Sequence, residues 1–454
     1  MNILHYSLGF PPYRRGGMTK YCMDLIDEQK KAGHKVSLLW PGKYKDSSPK
    51  CHIKKHRANK GITNYEINNT HPVPLLDGIL YPELFTCKKD KAVFEEFLSK
   101  ENFDVLHIHT LMGLPKELIE TANDMGIKTV FTSHDYFGIC PKCSLLRGGQ
   151  VCVDDHHCAD CVNCCKTGMS IKKIKIIQST PYKLAKNFPL IKKLRKNHIQ
   201  KVNQGYIGNS QDINPNLISK DERQKYIELR KYYMSILEMF SSVHFNSSLT
   251  KEIYGKYGDF ADSAEVISIS NFNISDNRNI KKVSDKLRIA YLGPVGVRKG
   301  YFFLNDVLKE IYDDGLTNFE FHIYNQLAEH EPYVVCHDPY NSHTLPNVMN
   351  NTDLLIVPSI WYETFGFTVL EALSYGVPVL VSENVGAKDL IIPGKNGEIF
   401  SLDKQAIKEK IVHYLEKPQD VEQMNRYIYE EQKIKTMKSH SEEILKLYQK
   451  KGMR

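Results

Sequence analysis

The chain has 454 residues, of which 41% are hydrophobic and 25% are charged, and its formal net charge at pH 7 is +8. This length exceeds what one hydrophobic core supports, and the composition is typical of soluble globular proteins, so we expect two or three domains. The absence of an apolar run of about 18 residues argues against a transmembrane helix, and the basic balance favours anionic partners without identifying them.

The beginning of the chain predicts a Rossmann-like domain, in which a strand, a glycine turn and a helix follow one another. Residues 2–7 predict a strand rather than a signal peptide, because no charged segment precedes a long apolar one, and we therefore expect a cytoplasmic protein. Gly16-Gly17 precede a helix that runs from Met18 to about Lys31. From these residues alone, the glycine pair fits an ordinary turn as well as a ligand contact. The polar stretch from Pro41 to about Lys60 predicts a loop.

Two buried strands, Asp104–His109 and Lys128–Ser133, continue the same domain, with a helix between them. His109 ends the first of these strands, where a packed histidine is the simpler interpretation. His134 and Asp135 directly follow the second strand.

A cysteine-rich segment then interrupts the domain. Seven of the eleven cysteines lie between residues 140 and 165. Two Cys-x-x-Cys pairs occur there, Cys140–Cys143 and Cys158–Cys161, and this spacing lets two thiolates bind one tetrahedral metal ion. A disulfide framework is not expected in a cytoplasmic chain. We expect a structural zinc ion, with an iron–sulfur cluster as the second possibility.

The insertion continues to about residue 241 and is partly very basic. Lys172–Tyr206 contains ten Lys or Arg residues and no Asp or Glu. Apolar residues are interleaved with this charge, as in segments that bind the surface of an anionic membrane. A basic helical insert packed on the first domain explains the pattern equally well, so both interpretations stay open.

A second domain follows the polar linker at 276–286. Its first strand leads into a loop bounded by glycines, Gly293–Gly300, which contains Arg298 and Lys299. Lys299 precedes a helix, where a cation is mildly unfavourable. A ligand-binding role is therefore favoured over that of a plain surface lysine.

A strand–helix–strand unit organises the second domain. Its strands are predicted at Asp353–Val357 and Pro378–Ser382, and its helix at Gly366–Tyr375. The glycine permits close backbone approach, and the first N–H groups of the helix lack partners within the helix, so a diphosphate fits there. Glu363, before the helix, and Glu371, inside it, suit polyhydroxy groups. Two glutamates eight residues apart are a weak signal alone, but the whole stretch is a strong one.

This stretch resembles the donor site of retaining glycosyltransferases with the GT-B fold, specifically glycosyltransferase family 4 (glycosyl transferases group 1). The family has a Glu-x-Phe-Gly-x-x-x-x-Glu signature, preceded by Pro-Ser and followed by Gly-x-Pro-Val. This chain matches at Pro358-Ser359, from Glu363 to Glu371, and at Gly376–Val379. The resemblance covers both domains and is weakest at 163–241.

The resemblance implies an α/β protein with two Rossmann-like parallel-sheet domains facing a cleft, and with a cysteine-rich and helical insertion in the first. The predicted plan is an acceptor-side domain at 1–275 with the insertion at about 140–241, a linker at 276–286, a donor-binding domain at 287–418, and a C-terminal helix at 419–454 that crosses back to the first domain.

The resemblance also implies roles for individual residues. Catalytic roles fall to Glu363 at the sugar, Lys299 at the diphosphate and His134 at the sugar or reaction centre. Pro294 stands where the family has a second cation, which Arg298 replaces in our interpretation. The residues implied to bind the nucleotide-sugar are Gly16, Gly17, Arg298, Phe365, Gly366, Phe367, Thr368 and Glu371.

No catalytic metal is implied, because GT-B enzymes do not need one. A subset of the family carries a similar cysteine insert, and the positions that match it are Cys140, Cys152, Cys158 and Cys161. The alternative zinc ligands are Cys143, Cys164 and Cys165.

The implied reaction is glycosyl transfer, with retention of configuration, from a UDP- or GDP-sugar to a glycan or lipid-linked acceptor in cell-surface polysaccharide or glycolipid synthesis. The basic segment at 172–206 is a candidate for contact with the inner face of the membrane. Two alternatives stay open: a sugar phosphorylase on the same fold, and a non-enzymatic zinc-containing protein that binds nucleic acid. Nothing resembling an RNA-stacking motif supports the last.

Overall fold

The structure is a computed structural model. It describes residues 1–11, 13–14, 16–74, 78–152, 158–194, 219–327 and 330–450. The chain divides into two compact units. Unit 1 comprises Met1–Arg147, Cys152–Ile267 and Met437–Arg454, and unit 2 comprises Gly148–Val151 and Ser268–Thr436.

Both units are of the α/β type, as predicted. The strands, in chain order, are β1 (Asn2–Tyr6), β2 (Lys35–Pro41), β3 (His52–Asn59), β4 (Ile62–Asn68), β5 (Val105–Ile108), β6 (Lys128–Ser133), β7 (Leu146–Arg147), β8 (Gln150–Val151), β9 (Ser242–Phe245), β10 (Ala264–Val266), β11 (Leu287–Tyr291), β12 (Phe319–Ile323), β13 (Val334–Cys336), β14 (Leu354–Val357), β15 (Val379–Ser382) and β16 (Gly397–Phe400).

The helices whose bounds fall within the described residues are α1 (Gly17–Lys31), α2 (Lys91–Glu101), α3 (Lys116–Asp124), α4 (Ala159–Cys164), α5 (Ile171–Ile177), α6 (Thr180–Ala185), α7 (Lys220–Leu237), α8 (Ser248–Gly255), α9 (Tyr301–Asp313), α10 (Leu345–Asn350), α11 (Phe367–Ser374), α12 (Lys404–Glu416), α13 (Pro418–Glu431) and α14 (Met437–Gln449). No helix in this part of the chain is long and apolar enough to cross a membrane.

The sheet of unit 1 has the strand order β10-β9-β6-β5-β1-β2-β4-β3. All neighbours run parallel except β3 and β4, which are antiparallel. β5 and β9 are buried along their whole length, as expected for parallel strands covered on both faces. Chain order reverses between β1 and β5, so the loops after these strands emerge side by side at the carboxyl edge of the sheet.

The sheet of unit 2 is fully parallel, with the order β13-β12-β11-β14-β15-β16. This is the strand order of a Rossmann sheet, in which ligands bind where the order reverses. The reversal lies between β11 and β14. The hydrophobic core of unit 2 includes Ile289, Phe321, Ile356 and Leu380, one from each of four neighbouring strands.

Three expectations about elements need correction. The stretch expected to be a loop from Pro41 to Lys60 contains β3, whose mostly exposed residues pair at the sheet edge through their backbone. The single C-terminal helix is instead two helices, α13 in unit 2 and α14 in unit 1. The main part of unit 2 accordingly runs from Ser268 to Thr436, beyond the expected limits of 287 and 418.

Candidate active site

Two loops meet at the switch point of the unit 2 sheet, one after β11 and one after β14. Gly300 has φ +75°, and a Cβ atom there would lie 1.8 Å from the carbonyl oxygen of Pro358. Only glycine permits this approach. The backbone N–H of Ile360 donates to the Arg298 carbonyl at 3.1 Å, which ties the loops together at a second point.

This contact brings together Lys299 and Glu363, two residues that the sequence assigned to the site. Lys299 Nζ lies 2.5 Å from Glu363 Oε1, and the Ser359 hydroxyl donates to Glu363 Oε2 at 2.7 Å. Burial alone would raise the pKa of Glu363, but Lys299, Ser359 and Arg298 together hold it below its usual value. The site therefore contains a charged carboxylate whose two oxygens are both hydrogen-bonded.

Trp361 adds an aromatic surface that sequence reasoning missed. The Arg298 guanidinium lies 4.6 Å from the centre of its ring, and Lys299 Nζ lies 5.6 Å from it. The buried indole Nε1 has no hydrogen-bond partner among the described residues. An unmatched buried N–H is costly, so a ligand oxygen would be favourable here. The sequence feature that could have indicated Trp361 is the rarity of tryptophan, since the chain has only two.

The helix α11 begins where the sequence placed a diphosphate-binding turn. Gly366 has φ +100° and precedes the first residue of the helix, which has no side-chain cap. Its first N–H groups are therefore open to a ligand. Phe365, by contrast, is only 2% exposed, so its side chain belongs to the core, and its carbonyl accepts from the N–H of Ala387.

The remaining predicted residues of unit 2 lie on the same helix. Phe367 and Thr368 are half-buried in its first turn. Glu371 is half-buried one turn further on, and its carboxylate adds to burial in raising the pKa of Tyr340 and Tyr375. The structure thus places Glu371 beside two tyrosines rather than in the Lys299–Glu363 pair.

The other predicted residues lie in unit 1, after the carboxyl ends of its strands. Gly16, with φ +137°, precedes α1, and Gly17 is its first residue, so the predicted glycine turn is confirmed. His134 follows β6 and keeps part of its surface exposed. Burial lowers its pKa to about 3. Asp135 accepts a hydrogen bond from the N–H of Phe137 at 2.8 Å, and burial raises its pKa to about 6.

Behind His134 lies a cluster of histidines that sequence reasoning did not anticipate. His5 on β1, His107 on β5, His109 directly after β5 and His244 on β9 are fully buried. Burial lowers the pKa of His5 to about 4 and those of His107 and His109 well below the usual value. The rings of His5, His107 and His109 are therefore neutral at pH 7. The predicted strand at Asp104–His109 contains two of them, His107 and His109, but the sheet order was needed to bring the strands together.

In the part of the chain that the structure describes, no three of the predicted zinc ligands bring their sulfur atoms within 4.8 Å of one another. No disulfide joins the described cysteines, and Cys161 lies near Cys158, whose hydrogen bond, together with burial, raises the Cys161 pKa. Within the described residues, the one group of three or more possible ligands whose atoms lie within 4.8 Å of one another is His5, His107 and His109. The structural zinc ion therefore stays a prediction.

Comparison with known proteins agrees with this architecture. A model described as glycosyl transferases group 1 matches residues 275–432, and a model described as glycosyltransferase family 4 matches residues 15–148. Across 99% of this chain, Anabaena HepE, solved in complex with UDP and glucose, superposes over its full length with a TM-score of 0.55 at 14% identity. The fold is thus GT-B. The chain belongs to the group 1 glycosyl transferases of family 4.

Curated relatives match more locally. A protein from the cps region of Klebsiella pneumoniae is 28% identical over 123 residues, which are 26% of this chain and 34% of that protein. The lipopolysaccharide 1,6-galactosyltransferase of Salmonella typhimurium is 42% identical over 55 residues, or 12% of this chain and 15% of that enzyme. The chain therefore spans only a minor part of the curated relatives that it matches.

Proposed function

We propose that this chain is a retaining glycosyltransferase that moves a hexosyl group from a UDP- or GDP-sugar to a glycan or lipid-linked acceptor. The observation that carries the proposal is the group formed by Lys299, Glu363 and Ser359 at the switch point of the unit 2 sheet, where ligands of such sheets bind.

The group suits the demanding step of the reaction, which is departure of the nucleoside diphosphate. Negative charge that develops on the diphosphate is stabilised by a fixed cation and by backbone N–H groups. Lys299 supplies the cation, and the uncapped start of α11 at 366–368 supplies the N–H groups. The unmatched indole N–H of Trp361 is a further group able to donate to an oxygen of this ligand.

The carboxylates have separate roles in this proposal. Glu363, held in place by two hydrogen bonds, contacts the transferred sugar, and Glu371 binds the ribose hydroxyls. His134 contacts the transferred sugar. The acceptor attacks from the face that the diphosphate leaves, and the departing phosphate helps to take the acceptor's proton, so no covalent nucleophile is assigned.

Two comparisons support the choice of substrates. HepE, which shares the fold, was solved with UDP and glucose. The Salmonella relative is named a lipopolysaccharide galactosyltransferase, which is consistent with a role in cell-surface glycan synthesis.

Membrane contact through the insertion belongs to the same proposal. The four most exposed large apolar side chains among the described residues are Ile176, Phe188, Leu190 and Leu194, each at least 60% exposed. Lys192 and Lys193 are exposed between the last two. Such a surface suits an anionic membrane. Residues 195–206 of the basic segment lie outside the described residues.

Part of the same segment packs on unit 1, as the alternative interpretation expected. Lys183 and Lys186 lie 4.9 and 4.6 Å from the centre of the Tyr13 ring, and Lys183 also pairs with Glu66. The insertion therefore divides into an anchored part around α6 and an exposed part at 188–194.

The experiment that tests the function is a thermal-shift screen of UDP- and GDP-hexoses, followed by a transfer assay with each nucleotide-sugar that binds. A ligand at a hundred times its dissociation constant should stabilise the protein by roughly 2.7 kcal/mol. No binding by any nucleotide-sugar, together with phosphate-dependent release of a sugar phosphate, would instead identify a phosphorylase.

Two variants test the roles assigned to the carboxylates. Glu371→Ala should mainly raise KM, because ribose contacts are equal in the ground and transition states, whereas Glu363→Ala should mainly lower kcat. Wild-type kinetics in both variants would remove the site assignment.

A further inference from the structure

Four buried histidines of unit 1, His5, His107, His109 and His244, are joined by one continuous series of hydrogen bonds that ends at His134. The series crosses four strands and two helices. Its members, in order of contact, are the Ile267 carbonyl, His244, Thr132, His107, Tyr448, Gln29, His5, His109 and His134. We call it the histidine series.

The backbone carbonyl of Ile267 determines which partner donates in each hydrogen bond of the series. A carbonyl can only accept a hydrogen bond, so His244 Nε2, at 2.7 Å, must donate. An imidazole ring that carries one N–H and donates through Nε2 accepts at Nδ1, so the Thr132 hydroxyl donates to His244 Nδ1 at 2.9 Å. The same hydroxyl oxygen accepts from His107 Nε2 at 2.7 Å, which leaves His107 Nδ1 as an acceptor.

The hydrogen bonds in the middle of the series donate in the same direction, toward Ile267. The Tyr448 hydroxyl donates to His107 Nδ1 at 2.6 Å and accepts from Gln29 Nε2 at 3.0 Å. Gln29 Oε1 then accepts from His5 Nε2 at 2.8 Å. Each hydroxyl and each neutral ring has one proton to give, and the Gln29 amide keeps the direction of donation because its Nε2 faces Tyr448 and its Oε1 faces His5.

The last two hydrogen bonds of the series assign the donor and acceptor nitrogens of His109 and His134. His109 Nε2 donates to His5 Nδ1 at 3.0 Å, and His134 Nε2 donates to His109 Nδ1 at 3.4 Å. The proton of His134 is therefore on Nε2. Any group that hydrogen-bonds to its Nδ1 must be a donor.

We propose that the histidine series is a positioning device that fixes His134 as the Nε2–H tautomer, so that its Nδ1 accepts from a sugar hydroxyl and repels a phosphate oxygen. Thr132 and Tyr448 are positioning residues, because they act on the substrate only through His134. The proposal rests on the role of His134 in the proposed function.

A metal ion is the competing use of the same rings, since nitrogens of His5, His107 and His109 gather within 4.8 Å. Metal binding needs an unprotonated nitrogen from each ring. Nδ1 of His5 and Nε2 of His109 are already joined to each other, and both nitrogens of His107 have hydroxyl partners. A metal would break these bonds, so the structure favours the hydrogen-bonded series.

The test is ¹⁵N NMR of the histidines in the full chain, with the His134 signals assigned by their loss in His134→Gln. Thr132→Val and Tyr448→Phe each remove one hydroxyl of the series. Thr129→Val and Tyr6→Phe are the matched controls. Each removes a buried hydroxyl of unit 1 whose hydrogen bond is not part of the histidine series.

We expect one tautomer, Nε2–H, at His134 in the wild type and in both controls. Without Thr132 or Tyr448, the part of the series nearer His134 can run in either direction, so both tautomers should appear. In the same two variants, kcat should fall about 10- to 100-fold, as for a misplaced group, while the KM for the nucleotide-sugar stays within about twofold because that ligand is held by unit 2.

An Nδ1–H tautomer in the wild type, an unchanged tautomer in both variants, or stoichiometric metal that is lost in His5→Gln would overturn the series. Mixed tautomers with unchanged kcat would overturn the positioning role. If no nucleotide-sugar binds the wild type, the proposed function fails and the positioning role with it, whereas the NMR result still decides the direction of the series.

Discussion

At the scale of single residues, the ion pair of Lys299 and Glu363 is the feature on which the site depends. The sequence identified both residues but assigned them to different parts of the ligand. Their contact shows that each compensates the other's charge. A diphosphate near Lys299 must therefore share that cation with the carboxylate.

Lys299→Ala should lower kcat by about 100-fold or more, because it removes a charge-stabilising group from the leaving diphosphate. Steady-state kinetics with the nucleotide-sugar found by the screen measure this effect. Arg298→Ala is measured separately, since it removes the neighbouring cation, which stacks on Trp361. If only Arg298→Ala impairs turnover, our assignment of the diphosphate cation is wrong.

At the scale of elements, Gly300 joins the loops that follow β11 and β14. Gly300→Ala should destabilise unit 2 through both a left-handed backbone and a clash with the Pro358 carbonyl. Gly315→Ala is the matched control, because Gly315 has φ +94° but no atom within 4 Å of the added Cβ. The control should cost about 1 kcal/mol, and Gly300→Ala about 1–3 kcal/mol more.

Trp361 permits this measurement in unit 2 alone. The chain has two tryptophans, and Trp40 belongs to unit 1. Denaturant unfolding followed by Trp361 fluorescence in a Trp40→Phe background therefore reports on the relevant unit. Equal losses of stability for the two alanine variants would show that the loops can separate without cost.

The cysteine-rich segment is the second element whose behaviour is predicted. The sequence predicts about one zinc ion per chain, bound by thiolates of 140–165, although the structure does not gather them. Zinc binding would then require the segment to rearrange, and could contribute roughly 10–16 kcal/mol to its folding.

Metal analysis of protein purified without a histidine tag decides this point. Cys158→Ser with Cys161→Ser should remove the zinc, whereas Cys87→Ser, in the same unit but outside the segment, should not. Visible absorption of a brown protein would indicate an iron–sulfur cluster instead. Metal-free, fully active protein would contradict both.

At the scale of the whole molecule, the exposed surface at 188–194 predicts binding to anionic membranes. Each Lys or Arg near such a surface contributes about 1 kcal/mol, and the exposed apolar side chains add to this. Lys192→Gln with Lys193→Gln, extended by Arg195→Gln and Lys196→Gln, should therefore weaken binding.

Co-sedimentation with vesicles that contain anionic lipid measures this, and binding should fall as salt shortens the Debye length. Lys282→Gln with Lys286→Gln is a control for the first pair, since it removes the same charge from exposed positions of unit 2. Equal binding to neutral vesicles, or none to either kind, would remove the membrane proposal.

The sequence by itself determined the fold class and the strand–helix–strand unit around Glu363. Helix and strand periods, glycine turns and buried apolar runs depend on neighbouring residues, so they can be read along the chain. The predicted helix at Gly366–Tyr375 is confirmed as α11 within one residue at each end. The same local signals failed at β3, because an exposed edge strand is held by backbone pairing and needs no apolar pattern.

Only the tertiary structure decided which distant side chains meet. Lys299 and Glu363 are 64 residues apart, and His107 and Tyr448 are 341 residues apart; strand order and the return of α14 to unit 1 bring them into contact. The break between α13 and α14 also depended on this packing. Contacts of this kind follow from topology rather than from local pattern, which is why the histidine series was not foreseen from a sequence that contains all its members.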